Sequence, residues 1–278
     1  MSALPRFSMS VDDGHPLDLR MADLLHSHDI KATFYLPLAN QEGAPVLSPA
    51  SMRQLAQTFE VGSHTRSHRF LNTLPGAEAW REIVDGKQQL QDQIGEEVEG
   101  FCYPGGRYQH IHKLQVRSAG FRYARTTQNL RIDMKFPVYE MPTTAQFYPH
   151  TRTVFFRNFI SQRHWTKRRA ALSVSMTEDD WLIRLYALLD LSIARQGVFH
   201  LWCHSIDIEK LQLWNQLDTF LRRVADYIGT EQRVYNRDLI AVSAAVSTVD
   251  GSQQSAVKAI NVNAFKAREL KREESDAN

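Results

Sequence analysis

The sequence predicts an α/β fold of the barrel type, and three observations predict it. Short apolar runs rich in Val, Phe and Tyr alternate with stretches of helical periodicity, the pattern of parallel strands joined by crossover helices. Polar residues close several of these runs, among them Asp13, His64 and His204, as expected of barrels that gather their sites at the C-terminal ends of strands. A length of 278 residues suits one such domain, which buries about three quarters of its unfolded surface.

Taken in order, residues 7–13 read as the first strand, and 18–28 as a helix with Leu19, Met21, Leu24 and Leu25 on one face. Strands follow at 32–38, 59–64, 100–104 and 123–127, with helices at 51–58 and 77–94 between them. Beyond Thr127 the alternation weakens. Residues 136–171 hold three prolines and the basic cluster Lys167, Arg168 and Arg169, and apart from a strand-like run at 139–143 they read as an insertion over the barrel mouth. A helix at 179–195, carried by Trp181, Leu182, Leu185, Leu188, Leu189 and Ile193, leads into a strand at 198–204. A further amphipathic helix is expected at 211–228 and a strand at 238–246. The chain thus divides into a single domain, 1–246, and a polar tail, 247–278, without an apolar face and expected to be flexible.

Composition removes several functional classes. With 43% hydrophobic and 23% charged residues the chain is neither fibrous nor disordered. Its 33 basic and 31 acidic residues balance to +2, too neutral for the phosphate-neutralising surface of a nucleic-acid binder. No run reaches the roughly 18 apolar residues of an integral membrane segment, and residues 1–9 lack the pattern of an export signal, so a cytoplasmic location is expected. Cys102 and Cys203 stand far apart inside apolar runs and read as buried, reduced side chains. The oligomeric state is not legible.

Four segments carry chemistry. Asp12 and Asp13 end the first strand and precede Gly14, where a turn can present both carboxylates, although Asp-Asp-Gly is also an ordinary polar turn. His64 and His68 are spaced i and i+4 and would project together if that segment turned helically. Two imidazoles with one carboxylate form a catalytic rather than a structural metal set, since a coordination position stays open. Phe101 to Gly106 leaves a strand through Pro104 and two glycines, where backbone amides can approach an oxyanion. The run 198–204 puts His200, Trp202 and His204 on one face, and a histidine at a strand exit suits a general acid.

Together and in this order, Ser10-Val-Asp-Asp-Gly14, His64-Thr-Arg-Ser-His68, Tyr103-Pro-Gly105 and the strand ending in His204 resemble the polysaccharide deacetylases of the NodB-homology, or carbohydrate esterase four, family. The likeness covers roughly residues 5–245. It implies a distorted (β/α) barrel holding one divalent metal ion, zinc first, with cobalt, nickel or manganese as alternatives. The ligands would be Asp13, His64 and His68. Asp12 would be the general base, His204 the general acid, and the Gly105 amide part of the oxyanion site. Tyr103, Pro104 and Trp202 would contact substrate. The implied reaction cleaves a linear C–N amide bond, removing an acetyl group from an acetamido sugar: a sugar nucleotide, a lipid-linked saccharide or a small oligosaccharide.

Three departures shape the expectations. The arginine that often orients the base in this family is replaced by Cys102, and Arg125, ending the next strand, is the candidate to take its place. The leucine before the last-motif histidine is Trp202, which predicts a reshaped acyl pocket. The family's Asp-Trp pair, whose aspartate partners the acid, is matched only loosely by Asp180 and Trp181. Two other functions fit the sequence: hydrolysis of a small cyclic amide or ureide, as in allantoinases, and carbohydrate binding without catalysis. Asp207 reads as a helix cap, and Trp165 with the basic cluster reads as a solvated face or as a lid for an anionic substrate.

Overall fold

The structure, a computed structural model, describes residues 4–243. Seven strands, β1 (Arg6–Asp12), β2 (Ala32–Leu36), β3 (Glu60–Ser63), β4 (Gly100–Cys102), β5 (Tyr123–Arg125), β6 (Ala145–Gln146) and β7 (Val198–Cys203), form one parallel sheet in the order β5-β4-β3-β2-β1-β7-β6. The helices are α1 (Asp18–Ser27), α2 (Pro49–Ala56), α3 (Gly76–Ile94), α4 (His110–Ser118), α5 (Arg152–Ser161), α6 (Trp165–Thr177), α7 (Trp181–Ala194), α8 (Ser205–Lys210) and α9 (Trp214–Tyr227). A bridge between Arg125 and Met141 joins β5 to the chain that continues into β6, so the two ends of the curled sheet meet. This is the expected distorted (β/α) barrel.

Period two along each strand separates two environments. On β1, Phe7, Met9 and Val11 pack outward with Phe34 of β2 and Phe199, Leu201 and Cys203 of β7, in the core beneath the helices. Ser8, Ser10 and Asp12 take the inner face, which is polar and fully buried below the site. There Ser8 Oγ donates to Asn236 Oδ1 at 2.6 Å, Asn236 Nδ2 donates to the Tyr35 hydroxyl at 2.9 Å, and the Tyr123 hydroxyl donates to Glu60 Oε1 at 2.8 Å. His200 joins this network through Ser10, its Nε2 lying 2.6 Å from Oγ, and burial with the nearby Arg125 charge brings its pKa down to about 3. It is thus a neutral structural group, and a buried polar layer this well paired fixes the strands' relative placement.

Two expected strands are absent. In the range 139–143, Tyr139 and Glu140 belong to a short 3-10 turn (Val138–Glu140) and Met141 makes only the isolated bridge to Arg125, and the strand pairing with β7 lies just beyond, at Ala145–Gln146. Residues 236–243 are helical, burying Leu239 and Ser243 one turn apart, where a strand was expected at 238–246, of which 244–246 lie outside the described residues. The apolar run there suits either period, and its buried positions follow the helical one. The segment 136–171, expected as an insertion, holds α5 and the first part of α6, which runs on to Thr177, and the expected tail, 247–278, lies outside the described residues. Among the described residues no helix is long and apolar enough to cross a membrane.

Candidate active site

The first strand exit and the loop after β3 meet at the C-terminal end of the sheet. His64 Nδ1 lies 2.9 Å from the Cys102 carbonyl, which only accepts, so Nδ1 carries the proton and Nε2 presents a lone pair. That lone pair faces Asp13 Oδ1 at 3.4 Å, and His68 Nε2 lies 3.1 Å from the same oxygen. Asp13 Oδ1 is buried and makes no hydrogen bond. Three donor atoms within 4.8 Å of one another, with lone pairs converging and no proton to share between His64 and Asp13, fit a divalent cation.

The two histidines do not ride on a helix. Thr65 (φ 63°), His68 (φ 57°) and Asp13 (φ 80°) all adopt left-handed backbone conformations, a cost normally borne only where surroundings over-determine it. Here α3 supplies the constraint. Glu82 accepts from Ser67 N and Ser67 Oγ at 2.9 and 2.7 Å, and its carbonyl accepts from Arg66 N at 2.9 Å. Gly86 completes the fit: a Cβ there would stand 2.8 Å from Arg66 N, so only glycine lets α3 approach the ligand loop this closely.

Asp12 points inward beside this cluster. Arg125 Nη2 donates to both of its carboxylate oxygens, at 2.5 and 2.6 Å, and the guanidinium is wholly buried. Cys102 and Arg125 are register partners across β4 and β5, so the guanidinium reaches Asp12 from the neighbouring strand at the level where the family's usual arginine is missing. The Tyr35 and Trp202 rings flank it, at 5.3 and 5.1 Å. Asp12, His64 and Cys102 form a second convergent triad, but Arg125 already occupies Asp12, and burial pushes the Cys102 thiol well up. Asp13, His64 and His68 are the better cation site.

His204 closes the opposite side, with Nε2 3.6 Å from Asp13 Oδ2 and Nδ1 2.8 Å from Asp207 Oδ2. Burial works against its charge, yet Asp207 and the Asp13 and Asp12 carboxylates raise its pKa to about 9. Asp207 was expected as a helix cap and instead partners the imidazole. Asp180, expected as a partner for the acid, is itself the cap: its Oδ1 accepts from Leu182 N and Ile183 N, at 2.8 and 2.9 Å, and starts α7.

A cavity of about 780 Å³ opens over these groups, lined by Asp12, Asp13, His64, His68, Gly105, Trp202 and His204 on one side and by Val154, Phe155, Arg157, Asn158 and Ser161 of α5 on the other. Gly105 has φ 59°, bringing its backbone to the cavity wall. Tyr103 and Pro104, expected to touch substrate, do not line it. Strand periodicity turns Tyr103 outward with Phe101, where its ring stacks on Tyr108 at 4.3 Å and its hydroxyl donates to the Tyr139 carbonyl. Pro104 is likewise buried.

One neighbouring carboxyl escaped sequence reasoning. Asp18, fully buried at the start of α1, accepts from Ser205 Oγ at 2.5 Å and ties the β1 exit to the β7 exit behind the site. Burial raises its pKa well above the usual value, against the Ser205 hydrogen bond and with help from the Asp13 charge. A raised carboxyl contributes its stability below the unfolded pKa and loses it as pH rises through the folded one. An Asp18→Asn protein presents the same donor and acceptor without that loss. Its stability relative to the parent should therefore grow from pH 4 to pH 7, by on the order of 1 kcal/mol or more, as read from urea melts at the two pH values.

Fold and site together define an α/β-barrel protein with a carboxylate–imidazole cluster that could hold a metal ion. Residues 5–124 match the family model described as polysaccharide deacetylase, in keeping with the resemblance that the motifs carry. A peptidoglycan deacetylase, PdaC, from Bacillus subtilis superposes with a TM-score of 0.52 at 16% identity, over 91% of this chain and 99% of that one. The chitin deacetylase of the fungal pathogen Colletotrichum lindemuthianum gives 0.53 at 15% identity, over 81% and 84%. At these identities the likeness is one of fold. The Streptococcus pyogenes deacetylase PplD, solved with acetate, is 21% identical with a TM-score of 0.45, and the match covers 49% of this chain and 62% of that one, less than two thirds of its length. No curated protein matches the sequence.

Proposed function

We propose that this chain is a metal-dependent hydrolase that removes the N-acetyl group from an acetamido sugar, whether a sugar nucleotide, a lipid-linked saccharide or a small oligosaccharide. The observation that carries this reading is the convergence of Asp13, His64 and His68 at the floor of a cavity, with an arginine-held carboxylate and an aspartate-held imidazole beside them. Asp13, His64 and His68 hold one divalent ion, with zinc the best match to two nitrogens and one carboxylate. Such an ion supplies Lewis acidity toward the acetyl carbonyl and lowers the pKa of water at its open position.

Asp12 takes the proton from the attacking water, its carboxylate held in place by Arg125. His204, its Nδ1 held by Asp207, delivers a proton to the departing amine. The Gly105 amide faces the oxyanion, and the Trp202 indole forms a wall beside His204, their rings 5.3 Å apart, where a sugar ring can rest. In this reading residues 1–246 act as one catalytic domain, and 136–171 covers the site. An acetate-release screen over N-acetylglucosamine oligomers, UDP-N-acetylglucosamine and a lipid-linked acetamido sugar, with the zinc-loaded protein and allantoin as counter-substrate, tests it. Acetate should appear from at least one acetamido sugar. Turnover of allantoin alone overturns the assignment.

A further inference from the structure

Helices α5 and α6 carry a feature the chemistry does not use. From His150 to Thr177 the chain has six lysines and arginines and no acidic residue. Arg168 belongs to the scaffold: wholly buried, it donates to the Asn158, Phe159 and Asn129 carbonyls and so caps the end of α5. Arg152 pairs with Asp179, and Lys167 with Asp133. Arg157, Arg163 and Arg169 remain exposed, with no ion pair among the described residues.

Beside these charges stand three large apolar side chains in water. Phe156 is 51% exposed, Ile160 56% and Trp165 58%. Phe156 and Ile160 lie one turn apart, about 100° or more around α5 from Phe155, which is buried at the cavity, and Trp165 opens α6 after the intervening turn. Aromatic and aliphatic groups interleaved with unpaired arginines, on a short helical hairpin, form the surface that lies in the headgroup region of an anionic bilayer. A second copy of this face would set like charges together.

We propose that the α5–α6 face docks on an anionic lipid surface, with Phe156, Ile160 and Trp165 entering the interface and Arg163 and Arg169 meeting lipid phosphates. The inference does not depend on the reaction assigned above, and its test needs no turnover.

Flotation with vesicles of phosphatidylglycerol and phosphatidylcholine is the experiment. The chain should float with the mixed vesicles, float far less with phosphatidylcholine alone, and be released by raised salt. Arg163→Gln with Arg169→Gln should weaken binding by on the order of twentyfold, from about fivefold per charge. Phe156→Ser with Ile160→Ser and Trp165→Ser should abolish it. All five positions are exposed, so circular dichroism and thermal melts should match the parent. A parent chain that stays in solution, or variants that float as well as it does, overturn the proposal. So does a parent dimer that Trp165→Ser disperses without vesicles, since the face would then be a contact between copies.

Discussion

An Asp12→Asn protein is expected to keep its bound cation and lose about 10²–10⁴-fold in kcat, the range that a positioned general base contributes. The asparagine still accepts one hydrogen bond from Arg125 but cannot take a proton. The substitution also has a stability cost. Arg125 is fully buried, and its Nε and Nη1 make no hydrogen bond, so Asp12 is the guanidinium's one hydrogen-bonding partner among the described residues. Removing half of a buried pair destabilises by about 3 kcal/mol or more. Loss of rate and loss of fold are separated by Asp12→Asn/Arg125→Met, in which the orphaned charge is gone and an apolar chain fills the space between Tyr35 and Trp202. Urea melts should show the double variant recovering most of that stability, while acetate release stays as low as in the single variant. An active Asp12→Asn enzyme removes Asp12 from the role of base.

The first half of the barrel was readable because each strand exit there combines an apolar run with a polar end, and the helices between have one apolar stripe. What lay on the inner face was readable only in part. Arg125 could be named by position because parallel strands bring their ends to one level, but the ladder pairing of Cys102 with Arg125 is a tertiary fact. The same alternation misled at Tyr103, where the motif suggested substrate contact and the pleat turns the ring outward. Asp180 and Asp207 exchanged expected roles for a local reason. A carboxylate three residues after His204 folds back on the imidazole as α8 begins, whereas one just before Trp181 is spent on backbone amides.

Residues 128–178 were illegible for another reason. On α5 a buried Phe155 is followed by an exposed Phe156, so the apolar pattern points both to the cavity and to water and no single period emerges. Arg168 and Arg184 hold this part together by donating to backbone carbonyls at helix ends, Arg184 to those of His150, Glu178 and Asp179. Carbonyls leave no trace in a sequence, so arginines doing this work look like surface charge.

His64→Ala should strip the cation from the protein altogether. Its imidazole is the best-oriented of the ligands, because the Cys102 carbonyl fixes both its tautomer and its direction, while His68 Nδ1 has no partner. Losing even a supporting contact to a ligand weakens metal binding about 10–100-fold, and losing the ligand itself should exceed that. Elemental analysis after dialysis should find one zinc ion per parent chain and none in the variant, and added zinc should raise the melting temperature of the parent alone, since only a folded state that binds metal is stabilised by it. Cys102→Ser is the informative companion, because the thiol belongs only to the rival triad of Asp12, His64 and Cys102. Zinc retained in Cys102→Ser and lost in both His64→Ala and His68→Ala places the ion on Asp13, His64 and His68. Zinc retained in His68→Ala and lost in Cys102→Ser would move it to the rival set, and with it the base could no longer be Asp12.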